Sequence, residues 1–461
     1  MINKEEIDQV ADNLKVNAAD IQRDYVNGWL LAGINKASNL GGLLTLKGGN
    51  ALRKGYFRNT RYSKDLDFST PGSIDKSLLQ IEIQKACDYV SEGTGIIFDS
   101  EKMRVDQKQR VSGGLDVLDI RAYFSDFYGK ECSSQLRVYV DVTLYDRLIL
   151  PTKEMPLIHT YSDSKDCEAT VSCVALEEIL ASKLKCMLQR RHAGDLFDYL
   201  RWLMFADVDI DRSLLLDTFL KKTIYEKAPG AAFNLLINLP VAAIRGLIDT
   251  YVQAPSTCTI PMDSAPTLFT EHITSLFGDA SDQVPYGLSF FDWATREKIM
   301  NAGQKTHLMR LVYKGEAREI EPYSISYKER KGGGGGEYFY AYDRSGGTSG
   351  PSIKGFVPEK IESLEELDGE FVPRHEIEVA KAGDIPIDPY FHGRSRKGSV
   401  PEFGIVRKKP RIKYSSPKHR YKCTICGKTF SRNMQNSTLK AHKGKTGYPC
   451  YGSYGSYEGY R

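Results

Sequence analysis

The chain has 461 residues, 41% of them hydrophobic and 26% charged, with a formal net charge of +4. This composition suits a soluble globular protein of about two to four domains. No apolar run reaches the roughly 20 residues of a membrane span. The small net charge hides an asymmetry: residues 393–461 hold 17 basic and 2 acidic residues, +15, whereas 1–392 hold 46 and 57, −11. A basic tail on an acidic body implies an anionic partner, most often nucleic acid, or a tail that docks on its own body. The start, Met1-Ile2-Asn3-Lys4-Glu5-Glu6, has no signal-peptide pattern, and six of the nine cysteines are scattered before residue 260 without paired spacing. Both features lead us to expect the cytoplasm and no membrane.

In chain order, Leu43-Leu44-Thr45-Leu46 reads as a short buried strand, Gly48 and Gly49 allow a tight turn, and Asn50 to Phe57 has helical character. Amides freed at such a helix start hold phosphate oxygens, and glycine lets the phosphates come close. Then follows Arg61-Tyr62-Ser63-Lys64-Asp65-Leu66-Asp67-Phe68. In a strand, Asp65 and Asp67 share one face while Leu66 and Phe68 enter the core. Adjacent carboxylates repel unless a cation lies between them, and Mg²⁺ (or Mn²⁺) with nucleotide phosphates is the commonest solution. If the strand already runs at Ser63, its hydroxyl lies on the carboxylate face, where it could contact a phosphate or accept one.

The segment Leu43 to Phe68 resembles the signature of the AbiEii/AbiGii abortive-infection toxins, a branch of the nucleotidyltransferase superfamily. It has the glycine pair, the Ala51-Leu52 that follows, and the Arg-x-Ser-x-Asp-Leu-Asp-Phe run; Ile21-Gln22-Arg23-Asp24-Tyr25-Val26 resembles the family's leading helix. The resemblance covers roughly the first half of the chain. It implies an α/β (α+β) nucleotidyltransferase fold with a helical lobe, transferring an NMP or phosphoryl group from an NTP with a divalent metal. Gly48, Gly49, Asn50, Arg61 and Ser63 would then bind the nucleotide. It also implies a tRNA end or other RNA as acceptor, a toxin or phage-defence role, and a cognate antitoxin as a further partner.

Other expected parts follow from patterning. Arg137 to Leu144 alternates, with Val138, Val140 and Val142 on one face, so Asp141 faces the other way as a candidate third metal ligand. Leu176, Ile179, Leu180, Leu184, Met187 and Leu188 mark one helix face, and Lys183 falls inside that apolar stripe. A lysine there needs an anion, and a triphosphate would supply one. Gly194 breaks the pattern before Asp195-Leu196-Phe197-Asp198-Tyr199-Leu200. Asp195 is a helix cap or, by resemblance to the family's closing motif, a site residue orienting Lys183 or the acceptor hydroxyl.

These patterns divide the chain into a transferase core (1–204), a helical lobe (205–302), a β-rich module (303–375), a basic, proline-containing linker (376–415) and a zinc-binding basic tail (416–461). The β-rich module suggests a small barrel, with Gly332–Gly336 as a hairpin tip. It resembles a WYL domain, an SH3-like barrel, with Tyr338-Phe339-Tyr340 in place of the Trp-Tyr-Leu. Arg318, Tyr323, Tyr340 and Lys354 are its candidates for an anion or base-stacking surface. In the tail, Cys423, Cys426, His442 and Cys450 form a closed Cys3His set suited to structural Zn²⁺, with Phe430 and Leu439 as a small core and His419 as a competing ligand. Tyr451 to Tyr460 alternates Tyr with Gly and Ser and is expected to be disordered unless nucleic acid orders it. The reading is a metal-dependent nucleotidyltransferase with a regulatory or RNA-binding tail. Two others stay open: kinase-like phosphotransfer to an antitoxin or to Ser63, and an inactive nucleotide- or nucleic-acid-sensing regulator.

Overall fold

The computed structural model describes residues 2–108, 110–113, 115–125, 135–205, 208–282, 288–329, 335–380, 419–432, 435–443 and 449–460. The chain divides into two compact units, 1–395 and 396–461. No single helix among the described residues is long and apolar enough to cross a membrane.

Helices α1 (Lys4–Leu14) and α2 (Ala18–Lys36) start on Asn3 and Asn17, whose side chains accept the amides of Glu6 and Ala19. Such caps satisfy amides that the first turn leaves unpaired. Leu43 closes a turn on Leu40 and is 49% exposed, so strand β1 begins later than its leucines suggest, at Thr45–Lys47. Helix α3 (Gly48–Ala51) follows at once and passes into a π turn at Leu52–Tyr56, two residues ahead of the expected start at Asn50. Strand β2 (Asp65–Ser69) leads to α4 (Lys76–Thr94), capped by Asp75 and ended by Gly95 at φ +75°. Asp24 of α2 is buried and holds the π turn through Arg53 Nε at 2.6 Å and Lys54 Nζ at 3.0 Å, and it accepts from Tyr161 Oη at 2.8 Å.

Strands β3 (Val105–Lys108), β4 (Val117–Ser125), β5 (Gln135–Thr143), β6 (Lys153–Pro156) and β7 (Thr170–Cys173) join β1 and β2 in one mixed sheet. Its order is β3-β4-β5-β2-β1-β7-β6, with parallel pairing only for β2–β5 and β1–β7. One face, including Leu46, Leu66, Phe68, Leu118, Ile120, Val138, Val140 and Val142, is almost fully buried. Helix α2 packs on β5 and β7, with α4 beside it. The acidic residues occupy the opposite face.

Helices α5 (Leu176–Gln189), α6 (Ala193–Phe205), α7 (Arg212–Lys221), α8 (Pro229–Ile237), α9 (Val241–Tyr251) and α10 (Ser264–Phe277) complete the lobe. A single apolar core runs from Ile2 to Phe277, so packing continues across the expected boundary at 204/205. A second core begins at Phe291 and includes Ile299 and Met300 of α11 (Trp293–Lys305). Over it lies an antiparallel sheet of five strands: β8 (His307–Tyr313), β9 (Glu316–Glu329), β10 (Gly335–Asp343), β11 (Ser352–Phe356) and β12 (Ile361–Glu370). They run in the order β11-β10-β9-β8-β12. Gly335 and Gly336 belong to β10; the rest of the expected glycine tip, Gly332–Gly334, lies outside the described residues. Of the expected linker, residues 376–380 are ordered, with Val379 and Ala380 buried against this module; 381–415 lie outside the described residues.

The module grips the corner between α5 and α6. Buried Arg296 donates to the carbonyl of Leu188 and, at 3.1 Å, to Tyr225 Oη, and pairs with buried Glu337. Gln189 donates to the carbonyl of Ile325 at 3.2 Å, and the Arg191 amide to that of Val379 at 3.2 Å.

In the second unit, β13 (His419–Cys423) pairs with β14 (Thr429–Arg432) and, on its other side, with a later strand. Between them, β15 (His442–Lys443) pairs with β16 (Pro449–Cys450). The later strand is β17 (Gly455–Tyr460), and it corrects the expectation of disorder over Tyr451 to Tyr460. Backbone pairing to β13 and the Tyr421–Tyr457 ring contact at 5.3 Å give this glycine-rich stretch order that its composition does not advertise.

Candidate active site

Asp65 and Asp67 turn away from the core while Leu66 and Phe68 are 0% and 2% exposed. The register sets Asp67 directly opposite Asp141 on β5, and Asp141 opposite Asp119 on β4. Neighbouring strands lie about 4.8 Å apart, so these carboxylates form a row across three strands, with Asp65 one step along β2. Asp119 is absent from the sequence reading. Its signal was available, because buried Leu118, Ile120, Ala122 and Phe124 alternate and leave Asp119 on the acidic face.

Lys108 of β3 spans the far end of the row, with Nζ 3.0 and 3.2 Å from the Asp141 oxygens and 3.3 Å from Asp119 Oδ1. Burial raises the Asp141 carboxyl well above the usual range. Lys108 pulls it down, while Asp67 and Asp119 push it further up. Lys108 and Arg121, whose Nη2 lies 3.3 Å from Asp119 Oδ2, therefore do not neutralise the row, which suits added cationic charge between Asp67 and Asp141.

The glycine pair packs against this row. Gly48 has φ +70°, and a Cβ there would lie 2.6 Å from Asp67 Oδ2. A Cβ on Gly49 would lie 2.5 Å from Arg61 Nη2 and 2.8 Å from Ser63 Oγ. Gly48, Gly49, Arg61, Ser63 and Asp67 thus share one neighbourhood, although Ser63 precedes β2 rather than lying in it. Asn50 is fully buried, and its Nδ2 donates to the carbonyls of Ser63 at 3.2 Å and Asp65 at 2.7 Å. Both amide hydrogens are engaged, so Asn50 positions the 63–65 segment. Asn50→Ala is expected to lower stability by about 1–3 kcal/mol through the lost bonds. It is also expected to raise KM for the nucleotide more than it lowers kcat, as denaturant titration and steady-state kinetics can measure.

The apolar stripe of α5 is buried as its spacing implies, and Lys183 lies within it at 7% exposure. Its counter-charge comes from the protein: Nζ is 3.0 Å from Asp195 and 2.8 Å from Asp198. Arg61 grips Asp198 with two bonds of 2.7 and 2.8 Å, and Arg190 Nε reaches Asp195 at 2.8 Å. Burial opposes each charge, yet the Asp198 and Asp195 carboxylates keep the Lys183 ammonium above its usual pKa. Burial likewise works against Asp195, but Arg190 and Lys183 hold it well below the carboxylate range. Three cations against two carboxylates leave a positive surplus, with Arg61 within electrostatic reach of Asp65. Helix α6 already starts at Ala193, so Gly194 sits in its first turn instead of breaking the helix. Of the roles left open for Asp195, the geometry has it pairing with Lys183. Asp198, unnoticed in the sequence reading, lies three residues on and so on the same helix face.

The four residues singled out in the β-rich module are not gathered on one surface. Arg318 and Lys354 converge on buried Asp343 at 2.5 and 2.8 Å. Tyr323 lies in the core and donates to Glu321 at 2.9 Å. Tyr340 sits beside Tyr338, with Lys328 Nζ 5.0 Å above its ring.

In the second unit, one ligand atom from each of Cys423, Cys426, His442 and Cys450 lies within 4.8 Å of the others. The Cys423 and Cys450 sulfurs are 3.8 Å apart, which is about the separation that a tetrahedral centre with Zn–S bonds of ~2.3 Å imposes. His442 Nδ1 faces the carbonyl of Lys440 at 2.9 Å. A carbonyl only accepts, so Nδ1 carries a proton, which leaves Nε2, 3.4 Å from the Cys426 sulfur, as the nitrogen able to ligate a metal. The amide of Cys426 stabilises the Cys423 thiolate and lowers that thiol to about 6. Leu439 is buried here with Phe430 packed alongside, as expected. His419 is bonded to Tyr457 Oη at 3.0 Å and is not among the four clustered residues.

Comparison with known proteins finds a family match over the segment that holds the first of these sites. Residues 29–242 match the family model described as nucleotidyl transferase AbiEii toxin, type IV toxin–antitoxin system. No curated protein matches the chain. Among solved structures, MenT4, a nucleotidyltransferase toxin from Mycobacterium tuberculosis H37Rv, is 19% identical with a TM-score of 0.37, covering 60% of this chain and 91% of its own. Proteasome accessory factor B/C of Arthrobacter aurescens is 13% identical with a TM-score of 0.16, covering 76% and 70%. At such TM-scores neither likeness bears on function. The matched segment contains the glycine pair, the row of carboxylates and the Lys183 network, and residues 29–242 are an AbiEii-type nucleotidyltransferase toxin domain.

Proposed function

We propose that the chain transfers an NMP from an NTP to an RNA acceptor, with a tRNA end favoured, as a toxin in a phage-defence setting held in check by a cognate antitoxin. The observation that carries this reading is the register of Asp67 against Asp141 beside the Gly48–Gly49 turn. Asp65, Asp67 and Asp141 would hold Mg²⁺ or Mn²⁺, and the residual negative charge around Asp141 fits that load. A divalent ion there would neutralise phosphate charge and align the reacting oxygens. Gly48, Gly49 and Ser63 cradle phosphate oxygens, Asn50 fixes the segment that carries Ser63, and the surplus positive charge around Lys183 and Arg61 favours the developing pyrophosphate.

The test is purified protein with each labelled NTP, Mg²⁺ and total RNA or total protein. Labelled RNA is the expected product. A protein gaining only a phosphate by mass, Ser63 included, would instead indicate phosphotransfer, and absence of turnover with retained nucleic-acid binding would indicate a regulator. The five-stranded module is read as WYL-like and barrel-forming, with the Arg318–Asp343–Lys354 cluster as its candidate ligand site.

Cys423, Cys426, His442 and Cys450 are assigned to structural Zn²⁺. Cys426→Ser should remove one zinc equivalent per chain by atomic emission and unfold β13–β17, leaving the transferase unit's thermal transition in place. Among the described residues of this unit the buried core side chains are Tyr421, Cys423 and Leu439, too little apolar surface to fold without a metal.

A further inference from the structure

The second unit carries a surface that its own folding does not use. Along β13, Tyr421 and Cys423 are buried, while Arg420 and Lys422 alternate with them and face outward. The residues opposite Lys422 are Thr429 and Ser456, and those opposite Arg420 are Ser431 and Gly459. Two cations thus stand on the central strand in a shallow field of hydroxyls and glycine, open to close approach by a phosphate backbone. Glu458 is the only acid in 419–461, against eight basic residues, and its carboxylate is 3.7 Å from Lys422.

At the metal end, Ile425, Tyr451 and Tyr454 are 67%, 92% and 61% exposed. They lie close together: a Cβ on Gly452 would sit 3.6 Å from Ile425 Cβ, and the Thr424 amide donates to the Tyr454 carbonyl at 3.3 Å. Side chains so exposed add nothing to the core, and exposed Tyr rings are what unstacked bases pack against.

We propose that this unit is a grip for single-stranded nucleic acid, in which Arg420 and Lys422 follow the phosphates and Tyr451 and Tyr454 stack bases beside Ile425. Its described residues contain no helix to enter a major groove, which favours a single strand over a duplex. The basic charge alone would equally suit docking on the chain's own acidic body. The exposed apolar cluster distinguishes the two, because self-docking by charge gives it no task. The grip does not depend on the transferase reading, since it needs neither NTP nor the carboxylate row.

Fluorescence anisotropy of the full, zinc-loaded chain with a labelled 12-nucleotide oligouridylate, without NTP, tests it. The chain should bind this strand more tightly than a duplex of the same length. Tyr451→Ala with Tyr454→Ala should weaken binding at least tenfold, whereas Tyr451→Trp should preserve it, with one zinc per chain in each case. Arg420→Gln with Lys422→Gln should flatten the slope of log affinity against log salt by about 1.4, at roughly 0.7 per phosphate contact. Asp65→Asn with Asp67→Asn should bind as the parent does, so loss of transfer and loss of grip are separate results. Unchanged affinity in the tyrosine variant overturns the proposal, as does tighter binding of the duplex. Failure of the parent chain to bind also overturns it, and a salt-sensitive cross-link between the two units would then assign the basic charge to self-docking.

Discussion

Asp67→Asn is expected to reduce nucleotide transfer by at least about 10²–10³-fold, the scale seen when one preorganised electrostatic contact is removed, without weakening the fold. Asp67 is half-buried and stands opposite Asp141, which itself stands opposite Asp119. Asparagine keeps the shape and removes one charge from a row of like charges. In metal-free protein the thermal midpoint should therefore hold or rise while transfer collapses. That divergence is the useful measurement, because a merely structural aspartate would lose both together. Undiminished transfer by the asparagine variant would remove Asp67 from the metal site and with it the proposed chemistry.

Lys183→Met is expected to cost stability and transfer together. Its ammonium lies between Asp195 and Asp198, each 1% exposed. Removing one partner of a buried ion pair typically costs about 3–5 kcal/mol, because the remaining charge stays out of water. Arg61 and Arg190 still contact the two carboxylates, which places the expected loss at the lower end of that range. Adding Asp198→Asn brings the count back to two cations against one carboxylate but takes the paired partner from Arg61, so it should restore little stability, and transfer should stay low because no ammonium remains at that position. Urea titrations of the single and double variants, alongside transfer rates, separate the two contributions. A double variant that regains transfer would show that Lys183 serves only to neutralise Asp198.

Period-two patterning was enough to place Asp65, Asp67 and Asp141 on one face, because a half-buried strand must alternate. The helical stripe was likewise enough to bury Lys183. What one-dimensional pattern lacks is adjacency. Asp119 and Lys108 could be assigned faces, but only strand order β3-β4-β5-β2 brings them beside Asp141. Arg61 entered the nucleotide-binding set through family resemblance alone, and nothing in the sequence announced its pairing with Asp198, 137 residues away. Tyr323 looked like a surface aromatic in a strand, yet it packs against Phe371 in the second core. Strand β17 was hidden for another reason: glycine, serine and tyrosine signal disorder by composition, and its order comes from pairing with a distant strand.

The Arg296–Glu337 pair and the bonds that the Ile325 and Val379 carbonyls accept mean that the five-stranded module is not a detachable accessory. A chain ending after α11 would leave the Arg296 guanidinium without its carboxylate, and the corner after Leu188 would lose its outside supports. That corner joins the helix bearing Lys183 to the helix bearing Asp195 and Asp198. Calorimetry of the intact chain should accordingly register the transferase lobe and this sheet melting as one event, and gene fusions that borrow the toxin domain without the sheet should yield insoluble protein.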